Sequence, residues 1–261
     1  MKTITEKPSI VFLPGAWNGP EYFGDVTTQL NERGYEVQAL HLLTAGLDPK
    51  STPSDDIALV QKTTQALADE GKDVILVMHS YGGFVGSESA KGLLKKDRLA
   101  QGKAGGIVHL VYLAGLPGIE GEILVENVPE WVRFQTSRKW FMTFNEADRI
   151  EQGEWTTVEN AKEIFYNDLP SSMVDELAAK LLPHAASIYT HPLAYAGYKY
   201  VPTTYLLCTQ DQALPFKVQK AIVASAHGLM RTEICDAGHF CMLSMPERVT
   251  NVIINAAAIL G

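Results

Sequence analysis

The sequence predicts an α/β protein with a mostly parallel central sheet, flanking helices, and a cap inserted over one sheet edge. Three observations carry that expectation. Short apolar runs rich in β-branched residues alternate with helical segments. Glycine or proline stands at the junctions. The rhythm stops between about Leu116 and Tyr200 and then resumes. Strands separated by helices imply a parallel sheet covered on both faces.

In chain order, Ser9 to Leu13 reads as a strand closed by Pro14-Gly15. Pro20 to Arg33 reads as a helix, and Gly34 supplies its stop. Tyr35 to Leu40 is the next strand, followed by a polar loop from Thr44 to Pro53. Ser54 is expected to cap a helix running to about Glu70, ended by Gly71. Val74 to His79 reads as a buried strand, and Phe84 to about Asp97 as the helix after it. Ile107 to Ala114 is another apolar strand. In the inserted stretch, Ser171 or Ser172 is expected to cap a helix to about Leu182, stopped by Pro183. Thr203 to Thr209 and Arg231 to Cys235 complete the strands. Pro215 opens a helix to about Ala226, and Pro246 opens the last, Glu247 to Leu260. The division is a core of residues 1–115 and 201–261 and a cap of residues 116–200. The cap is rich in aromatic residues, which form its own core or the walls of a substrate pocket.

A chain of 261 residues is long enough for one large domain with an insertion. Its formal net charge of −8 repels phosphate backbones, so nucleic acid is not an expected partner. Cys208, Cys235 and Cys241 are odd in number and lack paired spacing, which suggests neither a disulfide framework nor a metal-ligand cluster. Cys208 and Cys235 are expected to pack in the core, and Cys241 to line a pocket. The first residues lack the apolar segment of a signal peptide, and no apolar stretch approaches the ~20 residues that cross a bilayer. A soluble, cytoplasmic protein without a membrane partner is expected.

The most informative residue is Ser80, in the run Met78-His79-Ser80-Tyr81-Gly82-Gly83 between strand and helix. A serine on a tight strand-to-helix turn projects its hydroxyl out of the sheet; this is the nucleophile-elbow arrangement. Met78 stands where the usual pattern has glycine, so its bulk demands room from a neighbour. Read simply as structure, Ser80 is a polar turn residue and His79 a packing or hydrogen-bonding one. A serine needs a base. His239, in Asp236-Ala237-Gly238-His239-Phe240, follows the last strand and is the strongest of seven histidines. The base needs an acid, and Asp211 directly follows the strand ending at Thr209, giving the order serine, aspartate, histidine. Asp211 also reads as a helix cap before Pro215, while Glu120 and Asp236 are its rivals. Two amides for an oxyanion are expected at Tyr81, after the serine, and at Ala16, in the loop after the first strand. Trp17 and Phe240 are expected to bind substrate.

These residues carry a resemblance. Pro14-Gly15-Ala16-Trp17, His79-Ser80-Tyr81-Gly82-Gly83, Asp211-Gln212-Ala213 and Gly238-His239 resemble the α/β-hydrolase superfamily over the whole chain. The nearest group is the small esterases related to plant methyl-ester esterases and hydroxynitrile lyases. Phe165-Tyr166-Asn167-Asp168-Leu169-Pro170 resembles a cap segment of that group. The resemblance implies the α/β-hydrolase fold, a triad of Ser80, Asp211 and His239, and oxyanion donors at Ala16 and Tyr81. The lyase members carry lysine after the histidine; Phe240 stands there, which argues against cyanohydrin cleavage. The expected activity is hydrolysis of a small to medium apolar or aromatic carboxylic ester or lactone through an acyl-enzyme, with no cofactor. The rivals are carbon–carbon cleavage or cyclisation at the same site, and ligand binding with little turnover. The expected partner is a small-molecule substrate, and a homodimer is left open.

Overall fold

The computed structural model describes residues 7–124, 155–158 and 160–259. Trp131, Phe134, Trp140, Phe141 and Phe144 of the aromatic cap lie outside the described residues.

The core strands are β1 (Ser9–Leu13), β2 (Val37–Ala39), β3 (Asp73–His79), β4 (Gly106–Leu113), β7 (Thr203–Cys208) and β8 (Arg231–Cys235). They form one six-stranded sheet in the order β2-β1-β3-β4-β7-β8. Every pairing in it is parallel. β1, β4 and β7 are wholly buried, which explains why they read as continuous apolar runs. β8 is an edge strand with exposed Arg231, Thr232 and Ile234. The other edge, β2, is only three residues long against the six expected from Tyr35 to Leu40. Each edge strand has a neighbour on one side only.

The helices are α1 (Gly24–Glu32), α2 (Pro53–Asp69), α3 (Gly82–Ser89), α4 (Lys95–Leu99), α5 (Ala161–Phe165), α6 (Ser171–Ala179), α7 (Phe216–Ser225), α8 (Cys241–Ser244) and α9 (Pro246–Ala258). Those outside the cap flank the sheet, α1 packing on α9 and α2 on α3. In the cap, β5 (Trp155–Thr156) and β6 (His184–Ala185) pair antiparallel. Among the described residues no helix is long and apolar enough to cross a membrane.

Several local expectations are corrected. The helix expected from Pro20 begins as a 3-10 turn, Pro20–Phe23, before α1. Thr52, rather than Ser54, caps α2: Pro53 occupies the first helical turn, so the cap falls on the residue before it. The Asp55 carboxylate accepts both the Thr52 N–H (2.8 Å) and its hydroxyl (2.9 Å). The single helix expected from Phe84 to Asp97 is broken into α3 and α4. Gly92 adopts φ +75° at the break, and Leu94 then bridges to Ile107 beside the sheet. α6 starts after Pro170 with no side-chain cap from Ser171 or Ser172.

Candidate active site

Ser80 lies between β3 and α3 with φ +48°, a left-handed conformation that costs a non-glycine residue on the order of 1 kcal/mol. The fold holds it there from β4. The Ser80 N–H donates to Leu113 O (3.3 Å), and Ser80 O accepts from Leu116 N (3.0 Å) and Gly83 N (3.0 Å). Two neighbouring glycines are demanded by close approach. A Cβ at Gly82 would stand 2.6 Å from the carbonyl oxygens of Leu13 and Pro14. One at Gly15 would stand 2.9 Å from Ser80 Cβ and from His79 Nδ1. The first loop and the elbow therefore meet backbone to backbone. The room required by Met78 comes from Gly86 on α3, where an added Cβ would lie 2.8 Å from Met78 Cγ.

His239 and Asp211 are brought together by the pairing of β7 with β8. Gln210 N donates to Ala237 O (3.0 Å), joining the two loops. His239 Nδ1 lies 2.8 Å from Asp211 Oδ2, both side chains being buried. With Nδ1–H donating to the carboxylate, Nε2 of the neutral ring keeps its lone pair and can accept a proton. Asp211 Oδ1 accepts the amides of Ala213 and Leu214, each at 2.7 Å, and Oδ2 accepts Gln219 Nε2 at 3.0 Å. Asp211 thus caps the turn toward α7 and orients the imidazole with the same carboxylate. His79, next to Ser80, links His239 to the elbow. Its Nε2–H donates to the His239 carbonyl (3.0 Å), and the two rings lie 4.6 Å apart. Burial and the nearby His239 hold His79 well below the usual histidine range, so it stays neutral.

The amide N–H groups of Ala16 and Tyr81 are given to no acceptor among the described residues. Both sit at the Gly15–elbow contact. Trp17, φ +64°, turns the loop after Ala16; its N–H donates to His184 Nδ1 (3.0 Å) and its indole N–H to Thr156 O (3.1 Å). His184 is buried in the cap, and burial alone pushes it down to about 3. On the far side of the elbow, the Tyr81 hydroxyl donates to Asp56 Oδ2 (3.0 Å). Asp56 also accepts the N–H (3.1 Å) and hydroxyl (2.6 Å) of Thr44. Burial raises the Asp56 pKa, and these donors oppose the rise.

Phe165, Asn167 and Asp168 contact the same two loops. Phe165 stacks on the His239 ring at 5.6 Å. Asn167 Nδ2 donates to Gln210 O (2.9 Å), just before Asp211. Asp168 Oδ2 accepts Gly238 N (2.6 Å), just before His239. One short segment, residues 165–168, therefore holds both loops. Phe240 has no exposed surface; Tyr22, His79, Phe165 and Tyr166 surround its ring at 4.8–5.5 Å.

The competing residues lie elsewhere. Glu120 pairs with Lys199 (2.9 Å) and Asp236 accepts the Thr209 hydroxyl; neither contacts His239. His41 is bonded to Ala45 O, His109 to Thr204, and His191 faces Glu88. His227 follows α7.

A family model for the alpha/beta hydrolase family matches residues 10–252. The chain belongs to the α/β hydrolase family. It is 29% identical over 252 residues to the alpha/beta hydrolase nvfD of Aspergillus novofumigatus, covering 96% of this chain and 97% of that one. It is 25% identical to methylesterase 7 of Arabidopsis thaliana, covering 95% of each. Among solved structures, an extracellular alpha/beta-hydrolase from a Paenibacillus species superposes with a TM-score of 0.74 at 17% identity. That match covers 95% of this chain and 98% of the other.

Within this α/β hydrolase, the structure pairs His239 with Asp211, joins the His239 carbonyl to His79 beside Ser80, and sets Gly15, the neighbour of Ala16, against Ser80. Sequence reasoning missed Gln219 and Asp56. Gln219 lies eight residues after Asp211 on α7, and Asp56 lies on α2 after a polar loop. Only their burial distinguishes them from ordinary helix-surface residues.

Proposed function

We propose that the chain hydrolyses a carboxylic ester or lactone of a small to medium apolar or aromatic compound through an acyl-enzyme. The observation that carries this reading is the buried Asp211–His239 pair, held against the elbow by the His79 hydrogen bond. Ser80 Oγ attacks the ester carbonyl while His239 Nε2 takes its proton. Asp211 fixes the tautomer and stabilises the imidazolium. The amides of Ala16 and Tyr81 receive the oxyanion, each donor being worth roughly a hundred- to a thousand-fold in rate. His239 then protonates the departing alcohol. Water, deprotonated by the same imidazole, attacks the acyl-enzyme and releases the acid.

Trp17 and Phe165 are proposed to border the substrate. Phe240, fully enclosed, braces the His239 loop from behind. The relatives named methylesterase and hydrolase support ester cleavage as the reaction class. The bulk of Met78 in the elbow is accommodated beside Gly86.

The test is labelling by a fluorophosphonate probe, with turnover of small aryl esters beside it. Wild type should label at Ser80, and Ser80→Ala should neither label nor turn over. A folded protein that never labels refutes the acyl-enzyme. Full activity in Ser80→Ala would move the chemistry to the His239–Asp211 base alone.

A further inference from the structure

Cys208, Cys235 and Cys241 come from three separate segments: the end of β7, the end of β8 and the start of α8. Contrary to the expectation from spacing, their sulfur atoms all lie within 4.8 Å of one another. Cys208 and Cys235 are register partners on adjacent strands, with sulfurs 3.7 Å apart. All three are buried free thiols. Two thiolates bound to one tetrahedral zinc at ~2.3 Å stand ~3.8 Å apart. The strand register thus already holds one pair at a ligating separation.

We propose that Cys208, Cys235 and Cys241 form a binding site for a soft, thiophilic divalent metal ion, Zn2+ or its heavier congener Cd2+. Three sulfurs and no oxygen ligand select such ions over Mg2+ or Ca2+. The ion forms three metal–sulfur bonds and displaces three thiol protons to solvent, giving a complex of net charge −1. Arg248 stands nearby: its guanidinium donates to Ile234 O (3.1 Å), beside Cys235, while paired with Glu233. β8, which ends at Cys235, is the exposed edge strand of the sheet.

The site adjoins the proton-transfer pair. Gln219 bonds both the N–H (2.9 Å) and the carbonyl (3.3 Å) of Cys208, and the same amide donates to Asp211. Cys241 is two residues beyond His239. Drawing the sulfurs onto one ion shifts both loops, so occupancy is expected to suppress labelling of Ser80. That effect rests on the proposed function; the binding itself does not.

The test titrates the full chain with Cd2+, then desalts it. One ion per chain should be retained, with ultraviolet sulfur-to-cadmium charge-transfer absorbance and three sulfur neighbours by X-ray absorption. Bound Cd2+ should also slow alkylation of all three cysteines by at least tenfold in wild type, a readout that needs no variant. Cys235→Ser and Cys241→Ala, checked for folding by circular dichroism, should each lower affinity at least tenfold. No retained ion, ligation by nitrogen and oxygen, or unprotected cysteines would overturn the site. Retained Cd2+ with unchanged Ser80 labelling would leave the site standing and remove its coupling to catalysis.

Discussion

The Met78–Gly86 contact yields a quantitative expectation. Gly86→Ala places a methyl 2.8 Å from Met78 Cγ and 2.9 Å from Leu13 Cδ1, in a wholly buried spot. Overpacking of this kind costs ~1–3 kcal/mol, partly offset by the ~1 kcal/mol that alanine gains over glycine inside a helix. Met78→Ala empties the same place and costs ~2–5 kcal/mol. In the double variant the new methyl fills part of the cavity and the clash is gone. The two changes should therefore couple by ~2 kcal/mol, the double being more stable than the sum of the singles. Urea unfolding of the four proteins gives the cycle. Fluorophosphonate labelling should recover in the double relative to Gly86→Ala, because the elbow returns to its place. Additivity within ~0.5 kcal/mol would show that Gly86 does not accommodate Met78.

Other outcomes follow from the site. Gln219→Leu removes a donor from buried Asp211 and both partners of the Cys208 backbone; a loss of ~2–4 kcal/mol is expected in urea unfolding, with slower Ser80 labelling. Asp168→Ala frees the Gly238 amide and should slow labelling about tenfold, with little change in melting temperature, if the cap positions the base; unchanged labelling would refute that role. Acid should weaken the fold through buried histidines. Burial pushes His109 down to about 4, from 6.5, so below 6.5 the unfolded chain binds the proton first and stability falls as pH falls toward 4. Between about pH 7.5 and about pH 5 this one group removes ~2 kcal/mol, and His79 and His184 act in the same direction. A flat urea midpoint over that window, or no flattening in His109→Gln, would contradict it.

The central strands were legible because burial on both faces writes itself as an apolar run: Ser9 to Leu13 matches its expected limits. The placing of Ser80, Asp211 and His239 after strands was legible too, since a parallel sheet turns that order into one edge. What escaped depends on approach between distant segments. The gathering of the cysteines follows from the pairing of β7 with β8, which spacing along the chain does not reveal. Gln219 and Asp56 look like any polar helix residue until a neighbour buries them. Breaking the helix at Gly92 satisfies the bridge from Leu94 to Ile107, a demand of the sheet rather than of local propensity.

The contact of Gly15 with Ser80 leaves no slack between the strand-end loop and the turn that carries the hydroxyl. At Gly82 the neighbours are the main-chain oxygens of Leu13 and Pro14, so peptide atoms rather than exchangeable side chains fix how near the first loop lies to the turn. A side chain at either glycine would have to push the loop and the turn apart, so that spacing is written into the peptide scaffold.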